Sequence, residues 1–154
     1  MTIFINILLV FLLVFMNAFF VATEFAMVKV RKSRIETLVM DGAQNVKYTL
    51  KVVKNLNSYL SACQLGITLA SLGLGWIGEP AVAAMLTPLF NLMDLPEAAV
   101  HSISFILGFS LITGFHIVLG ELVPKSLAII NTEKIAMYTA LPLVLFYNIT
   151  FPII

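Results

Sequence analysis

Between Ile3 and Val28 only Asn6, Asn17, Thr23 and Glu24 carry polar side-chain atoms. A helix crosses the hydrocarbon core of a bilayer in about 20 apolar residues, so this run alone is long enough to span. Two more apolar stretches follow at 60–93 and 98–119, and a fourth at 135–154. The whole chain is 60% hydrophobic and 11% charged, against roughly 45–50% and about 25% in soluble domains. A surface that apolar cannot be kept in water. The expected fold is an all-α integral membrane domain over residues 1–154, with no soluble core. The start of the chain lacks the basic residues and small-residue cleavage site of a secretory signal, so the first run reads as a retained membrane helix.

The placement of charge predicts the topology. The connector from Lys29 to Tyr59 holds Lys29, Arg31, Lys32, Arg34, Lys47, Lys51 and Lys54, seven of the nine basic residues. Its apolar positions recur at helical spacing, which predicts amphipathic juxtamembrane helices over 31–57 with a turn near Asp41-Gly42. The loop after the second stretch carries Asp94, Pro96 and Glu97 and no basic residue. Positive charge stays inside, so the connector is expected in the cytoplasm and the N-terminus outside. The third stretch returns to Lys125 and Lys134. The fourth, with Pro142, Pro152, Tyr138 and Tyr147, suits juxtamembrane helices over 132–154 along the inner face better than a further span. The expectation is therefore three spans, a cytoplasmic C-terminus and a multi-pass protein of the plasma membrane. Three helices are thin for enclosing a path, which points to a homodimer in lipid. The net charge of +1 gives no sign of a nucleic-acid partner.

Polar groups at membrane depth mark candidate chemistry. Glu24 lies two turns from Asn17 on one helix face, beside Thr23. It suits a site inside the bundle, with an interfacial pair to Lys29 and Arg31 as the alternative. In the second stretch, Ser61, Gln64, Thr68 and Ser71 form one polar stripe, and Ala62, Gly66 and Ala70 form a close-packing one. Gly73, Gly75, Gly78 and Pro80 predict a break near 73–80. Glu79 before Pro80 suits the outer water. Pro124 has no amide hydrogen to donate, which frees a carbonyl near Gly120 next to the Glu121 carboxylate. Such oxygens suit a hard cation. A helix end with its last carbonyls capped by Lys125 fits the same residues. Cys63 reads as a small buried hydrophobe, and His101 and His116 as isolated hydrogen bonders between helices. No nucleophile with a matching base and no phosphate-binding loop is visible, so the chain does not read as an enzyme.

Four motifs together resemble the transmembrane domain of the CorC/CNNM (cyclin M) family, the hemolysin-like magnesium exporters. They are Asn17 to Ala26 (NAFFVATEFA), Tyr59 to Thr68 (YLSACQLGIT), Gly73 to Pro80 (GLGWIGEP) and Gly120 to Ser126 (GELVPKS). The resemblance implies a homodimer that exports largely dehydrated magnesium by alternating access, coupled to sodium entry. It also implies cytoplasmic CBS domains in the full-length protein, which this sequence does not include. The ion ligands it implies are Thr23, Glu24, Gln64, Thr68, Gly120 and Glu121. Asn17, Gly66, Gly73, Gly75, Gly78, Pro80, Pro124 and Lys125 take structural or gating roles. Two positions depart from the pattern. Val21 stands where some relatives have serine, and Ile67 and Thr68 follow Gly66 where many have an asparagine pair. Transport of another cation, or a non-transporting sensor or scaffold domain, are the alternatives.

Overall fold

The structure, a computed structural model, describes residues 2–43, 45–93 and 96–154. Asp94 of the expected acidic loop lies outside them. The described chain is helical throughout. In order come α1 (Thr2–Lys29), α2 (Lys32–Met40), α3 (Val46–Lys54), α4 (Leu56–Asn91) and α5 (Glu97–Phe115). A π-helical turn (His116–Leu122) then leads into α6 (Val123–Ile130) and α7 (Thr132–Thr150). Three stretches are long and apolar enough to cross a membrane: Ile3–Lys29, Leu56–Asn91 and Glu97–Ile130, the last running through the π turn. Most of their surface faces outward, as Phe4, Phe11, Phe15, Leu72 and Trp76 do. An apolar exterior of this kind requires lipid. The chain is a multi-pass membrane protein of three spans.

Small residues let the spans approach closely. Gly66 of α4 sits against the Phe20 ring of α1, and Gly73 packs on Leu13. Ala62 and Ala70 are buried on the same face, so the predicted close-packing stripe is the α1–α4 seam. Between α4 and α5, Gly78 packs on Ile112, and Gly108 lies against the backbone of Ala83 and Glu79.

Two expectations fail here. The break near 73–80 does not occur, because α4 runs unbroken from Leu56 to Asn91 with Pro80 and Pro88 inside it. Gly73 and Gly78 serve contact rather than interruption, and Pro80 sits on an exposed face. Nor does the third span stop at 119; it continues to Ile130, with the π turn absorbing the Gly120–Pro124 irregularity. The 36 residues of α4 extend about 54 Å at 1.5 Å per residue, well beyond a core of about 30 Å. It therefore tilts or reaches past the core.

The connector folds as its spacing predicts, into α2 and α3 around a turn where Gly42 has φ 78°. Ile35, Val46 and Val52 are fully buried there, against Ala136, Ala140 and Leu143 of α7. The region 132–154 forms one helix, not a pair. Phe146 stacks on Phe20 at 4.7 Å and Tyr147 on Tyr59 at 4.6 Å, pinning α7 to α1 and α4. Thr49 Oγ1 donates to the Ala136 carbonyl at 3.3 Å. Lys29 Nζ donates to the Ile129 carbonyl at 2.9 Å, closing the end of α6. The basic end of the bundle is thus held by a collar of short helices.

Candidate functional site

The polar centre of the bundle forms around Asn17, which is 1% exposed. The cause starts at Pro124. In an α-helix its amide would bond the carbonyl four residues back, at Gly120; proline has no hydrogen to give. The chain widens locally into the π turn, a feature frequent at functional sites. Asn17 Nδ2 reaches across from α1 and donates to the Gly120 carbonyl at 2.9 Å. That bond sends Asn17 Oδ1 toward α4, where Ser71 Oγ donates to it at 3.4 Å. One amide therefore ties all three spans together. Gly120 has to be small: a Cβ there would lie 3.0 Å from Asn17 Nδ2.

His116 and Glu121 complete the cluster. His116 Nε2 is 3.1 Å from Glu121 Oε1 and 3.4 Å from Asn17 Nδ2. One ring nitrogen cannot accept from Asn17 and donate to Glu121 at once. The shorter contact decides it: Nε2 carries the proton and donates to the carboxylate, and Asn17 is only a neighbour. Glu121 is half exposed. It opens on a cavity of about 300 Å³ between α4 and α5, which Ser71, Glu79, Thr113 and His116 also line.

Glu24 stands apart. It is seven residues from Asn17, about 10 Å along α1. Its carboxylate faces the Gln64 amide and lies close to the buried Cys63. The six predicted ion ligands thus do not converge. Glu24 and Gln64 share one level, while Gly120 and Glu121 share another with Asn17. Thr23 is fully buried and donates to the Phe19 carbonyl at 2.6 Å. Thr68 is exposed and donates to the Gln64 carbonyl at 2.8 Å. Ser61 and Thr68 are exposed, and Gln64, exposed too, lies at the edge of the seam beside Glu24.

Of the residues given structural roles, Asn17 proves central and Pro124 is the origin of the site. Lys125 reaches over the Phe25 ring at 4.6 Å, a cation–π contact and not a cap on the last carbonyls. Gly75 is open to the surface. His116 and Ser71 are the residues the ion-ligand reading missed. Both had signals: an i+5 spacing of His116 to Glu121 that only a π turn aligns, and the end of the polar stripe. Among the described residues no three His, Cys, Asp or Glu side chains gather into a metal cage. Any cation held at the Asn17 cluster therefore relies on amide, hydroxyl and backbone oxygens besides Glu121.

Comparison with known proteins agrees with this architecture. Residues 7–154 match the family described as the cyclin M transmembrane N-terminal domain. The chain is 45% identical over 145 residues to the UPF0053 protein YugS of Bacillus subtilis, covering 94% of this chain and 34% of that protein. It is 47% identical over 150 residues to the UPF0053 protein YhdP of the same organism, covering 97% and 34%. An uncharacterized protein of Mycobacterium tuberculosis is 35% identical over 148 residues, covering 96% and 42%. The chain spans about a third of the length of the Bacillus proteins it matches. With nearly every residue matched, this chain belongs to the cyclin M transmembrane N-terminal domain family.

Proposed function

We infer that the chain is the membrane domain of a magnesium exporter that works by alternating access and draws on sodium entry. The observation that carries this reading is the Gly120 carbonyl, freed by Pro124 and held by Asn17, one residue from the Glu121 carboxylate. Magnesium sheds water reluctantly and needs hard oxygens to replace it. If the Asn17 amide turns, Oδ1 and the Gly120 carbonyl both face the ion, with Glu121 and Ser71 completing an oxygen set. Glu24 and Gln64, one level nearer the basic collar, form an antechamber that concentrates cations before the central cluster. Sodium, with the same preference for oxygen, would occupy the emptied site on the return. Thr23 and Thr68 donate within their own helices, which leaves their oxygen lone pairs free for an ion.

The remaining assignments follow from the same reading. Seven basic residues from Lys29, the last of α1, to Lys54, the last of α3, favour a cytoplasmic collar, with the N-terminus outside a plasma membrane. Oxygen atoms of Ser61, Gln64 and Thr68 on an outward helix face favour a second copy as their cover. CBS domains would follow in a full-length protein. The chain acts as a transporter and not as an enzyme.

The His116–Glu121 contact favours a second reading, in which a borderline ion such as manganese or cobalt is the cargo, since imidazole suits those ions better than magnesium. One experiment separates the readings. The purified chain is reconstituted in liposomes holding a magnesium-sensitive dye, and flux is measured with and without a sodium gradient. Magnesium flux that Glu121→Ala and Glu24→Ala abolish, with both variants still eluting as the wild-type dimer, supports the proposal. Flux of manganese alone supports the second reading. No flux of any cation, or full activity in the double variant, would sink transport through these residues.

A further inference from the structure

The ends of two spans meet at one corner of the collar. Lys29 ends α1, Ile130 ends α6, and α2 and α7 start from there at Lys32 and Thr132. An open cavity of about 540 Å³ lies at this corner, and Lys29, Arg31, Ser33, Arg34 and Glu133 are among the residues that line it. Short bonds hold them there. Lys29 Nζ sits 2.9 Å from the Ile129 carbonyl, and Arg34 Nε sits 3.2 Å from Glu133 Oε1. The Arg31 carbonyl accepts from the Arg34 and Ile35 amides at 3.0 and 3.2 Å, so both arginines belong to the opening turn of α2. Three cations therefore line the cavity against one carboxylate, which Arg34 already engages. Arg31 takes part in neither salt bridge found among the described residues. The first turn of α2 contains no acidic residue, and no side chain caps it. Its unpaired amides add to the positive potential.

This corner has an excess of positive charge, and its depth says which anion fits. Lys29 and Ile130 close stretches long and apolar enough to cross a membrane, so the cavity stands at the level where hydrocarbon gives way to headgroups. Val28, Ile129 and Ile130, the last apolar residues of those stretches, are exposed and offer surface to acyl chains. We propose that Lys29, Arg31 and Arg34 bind the phosphate headgroup of an anionic phospholipid at this corner. Arginine pairs with phosphate through two parallel N–H bonds, and lysine acts as a point charge. Basic pockets between membrane helices hold lipid headgroups in this way. Lys47, Lys51 and Lys54 carry the same charge on exposed positions of α3, but none of them lines the cavity. A bound lipid would brace the α1–α2 link against the α6–α7 link. Such binding follows from the chain's place in a bilayer and not from the ion it moves.

The test is lipid retention by the purified full chain in detergent, read by native mass spectrometry with phosphatidylglycerol and phosphatidylcholine supplied in equal amounts. Wild type is expected to retain phosphatidylglycerol in preference. Arg31→Gln and Arg34→Gln should each cut that preference about fivefold, and Ser33→Asp, which puts a carboxylate in the cavity, at least as far. Lys47→Gln and Lys51→Gln remove the same charge from α3 and should leave it unchanged. Unchanged preference in Arg31→Gln and Ser33→Asp, or equal retention of the two lipids by wild type, would overturn the site. Equal losses in the α2 and α3 variants would overturn it as well, by showing diffuse attraction to the whole collar. So would displacement of the lipid by inorganic phosphate at the same concentration, in favour of a soluble anion. Arg31 has no salt bridge to lose among the described residues, so its variant keeps the test decisive even where Arg34→Gln disturbs the fold by releasing Glu133. Absent ion flux would leave the lipid site standing, and its loss would leave the transport reading untouched.

Discussion

The Asn17–Gly120 contact can be tested by giving glycine a methyl group and then removing the amide it strikes. In Gly120→Ala the new Cβ would sit 3.0 Å from Asn17 Nδ2 and 3.4 Å from His116 Cδ2. Asn17 cannot retreat freely, since it is 1% exposed and also holds Ser71. Overpacking of this kind costs about 1–3 kcal/mol, offset by up to ~1 kcal/mol of helix propensity gained over glycine. Asn17→Ala loses the 2.9 Å bond to the Gly120 carbonyl; interhelical bonds in membranes average about 0.6 and reach about 1.7 kcal/mol. The contacts at 3.4 Å add little. In the double variant the clash is gone and the propensity gain remains. Gly120→Ala should then be neutral or stabilising by up to ~1 kcal/mol. The coupling between the two positions should be roughly 2 kcal/mol, read from SDS-induced unfolding of the detergent-purified protein. If Gly120→Ala costs the same in both backgrounds, within about 0.5 kcal/mol, the amide does not fill the space beside Gly120 and the derivation fails.

Three further outcomes are expected. Gly66→Ala drives a methyl into the Phe20 ring, which Phe146 backs at 4.7 Å. It should destabilise by about 2–3 kcal/mol, and Phe20→Leu in the same chain should restore part of that in thermal melts; unchanged melting would refute the packing. Cys63 is fully buried, so maleimide labelling should be slow in native detergent and complete in SDS. Rapid native labelling would mean that the α1–α4 seam opens readily. Trp76, the only tryptophan, is 84% exposed at its place in a span. Its fluorescence should be quenched by brominated acyl chains in reconstituted bilayers, and full protection would mean that another chain covers it.

The spans were readable because hydrophobic length is a local property. The same holds for α2 and α3, whose buried Ile35, Val46 and Val52 follow helical spacing. Gly73 and Pro80 misled because a sequence shows that a helix can break, not that neighbours compensate. Leu13 and Ile112 fill the space beside Gly73 and Gly78, and contact replaces the break. The freed carbonyl near Gly120 was legible from Pro124 alone. Its partner was not, since Asn17 lies 103 positions away and could be matched only once α1 and the π turn were side by side. His116 and Glu121 looked unrelated for a similar reason. Five residues apart, they face different directions on an α-helix and align only where the turn widens. Thr23 and Thr68 sit at plausible ligand positions, yet whether a hydroxyl points across the bundle or back along its own helix depends on a rotamer that spacing does not specify.

The two ends of the bundle are held by different kinds of contact, and this bears on where it can move. At the basic end, stacked aromatics, the buried Thr49 bond and the α2–α3–α7 core lock α7 onto α1 and α4. Separating these would expose large apolar side chains and leave a buried polar group unpaired. Beyond the Asn17 cluster, α4 and α5 meet through Gly78, Gly108 and short side chains around cavities at Glu79. Small residues make a flat contact along which helices can slide without forcing bulky rotamers to change. A rearrangement that uncovers the Gly120 carbonyl therefore costs least as a shear of α5 and the π turn along α4, with the collar as the fixed body. The lock that such a shear must release is a single amide. Asn17→Leu, close in size but without donor or acceptor, should loosen α5 and the π turn while preserving the collar. Hydrogen exchange should then rise in α5 and the π turn and stay unchanged in α3 and α7. Uniform acceleration across all of them would show that the amide supports the whole bundle and not one moving part.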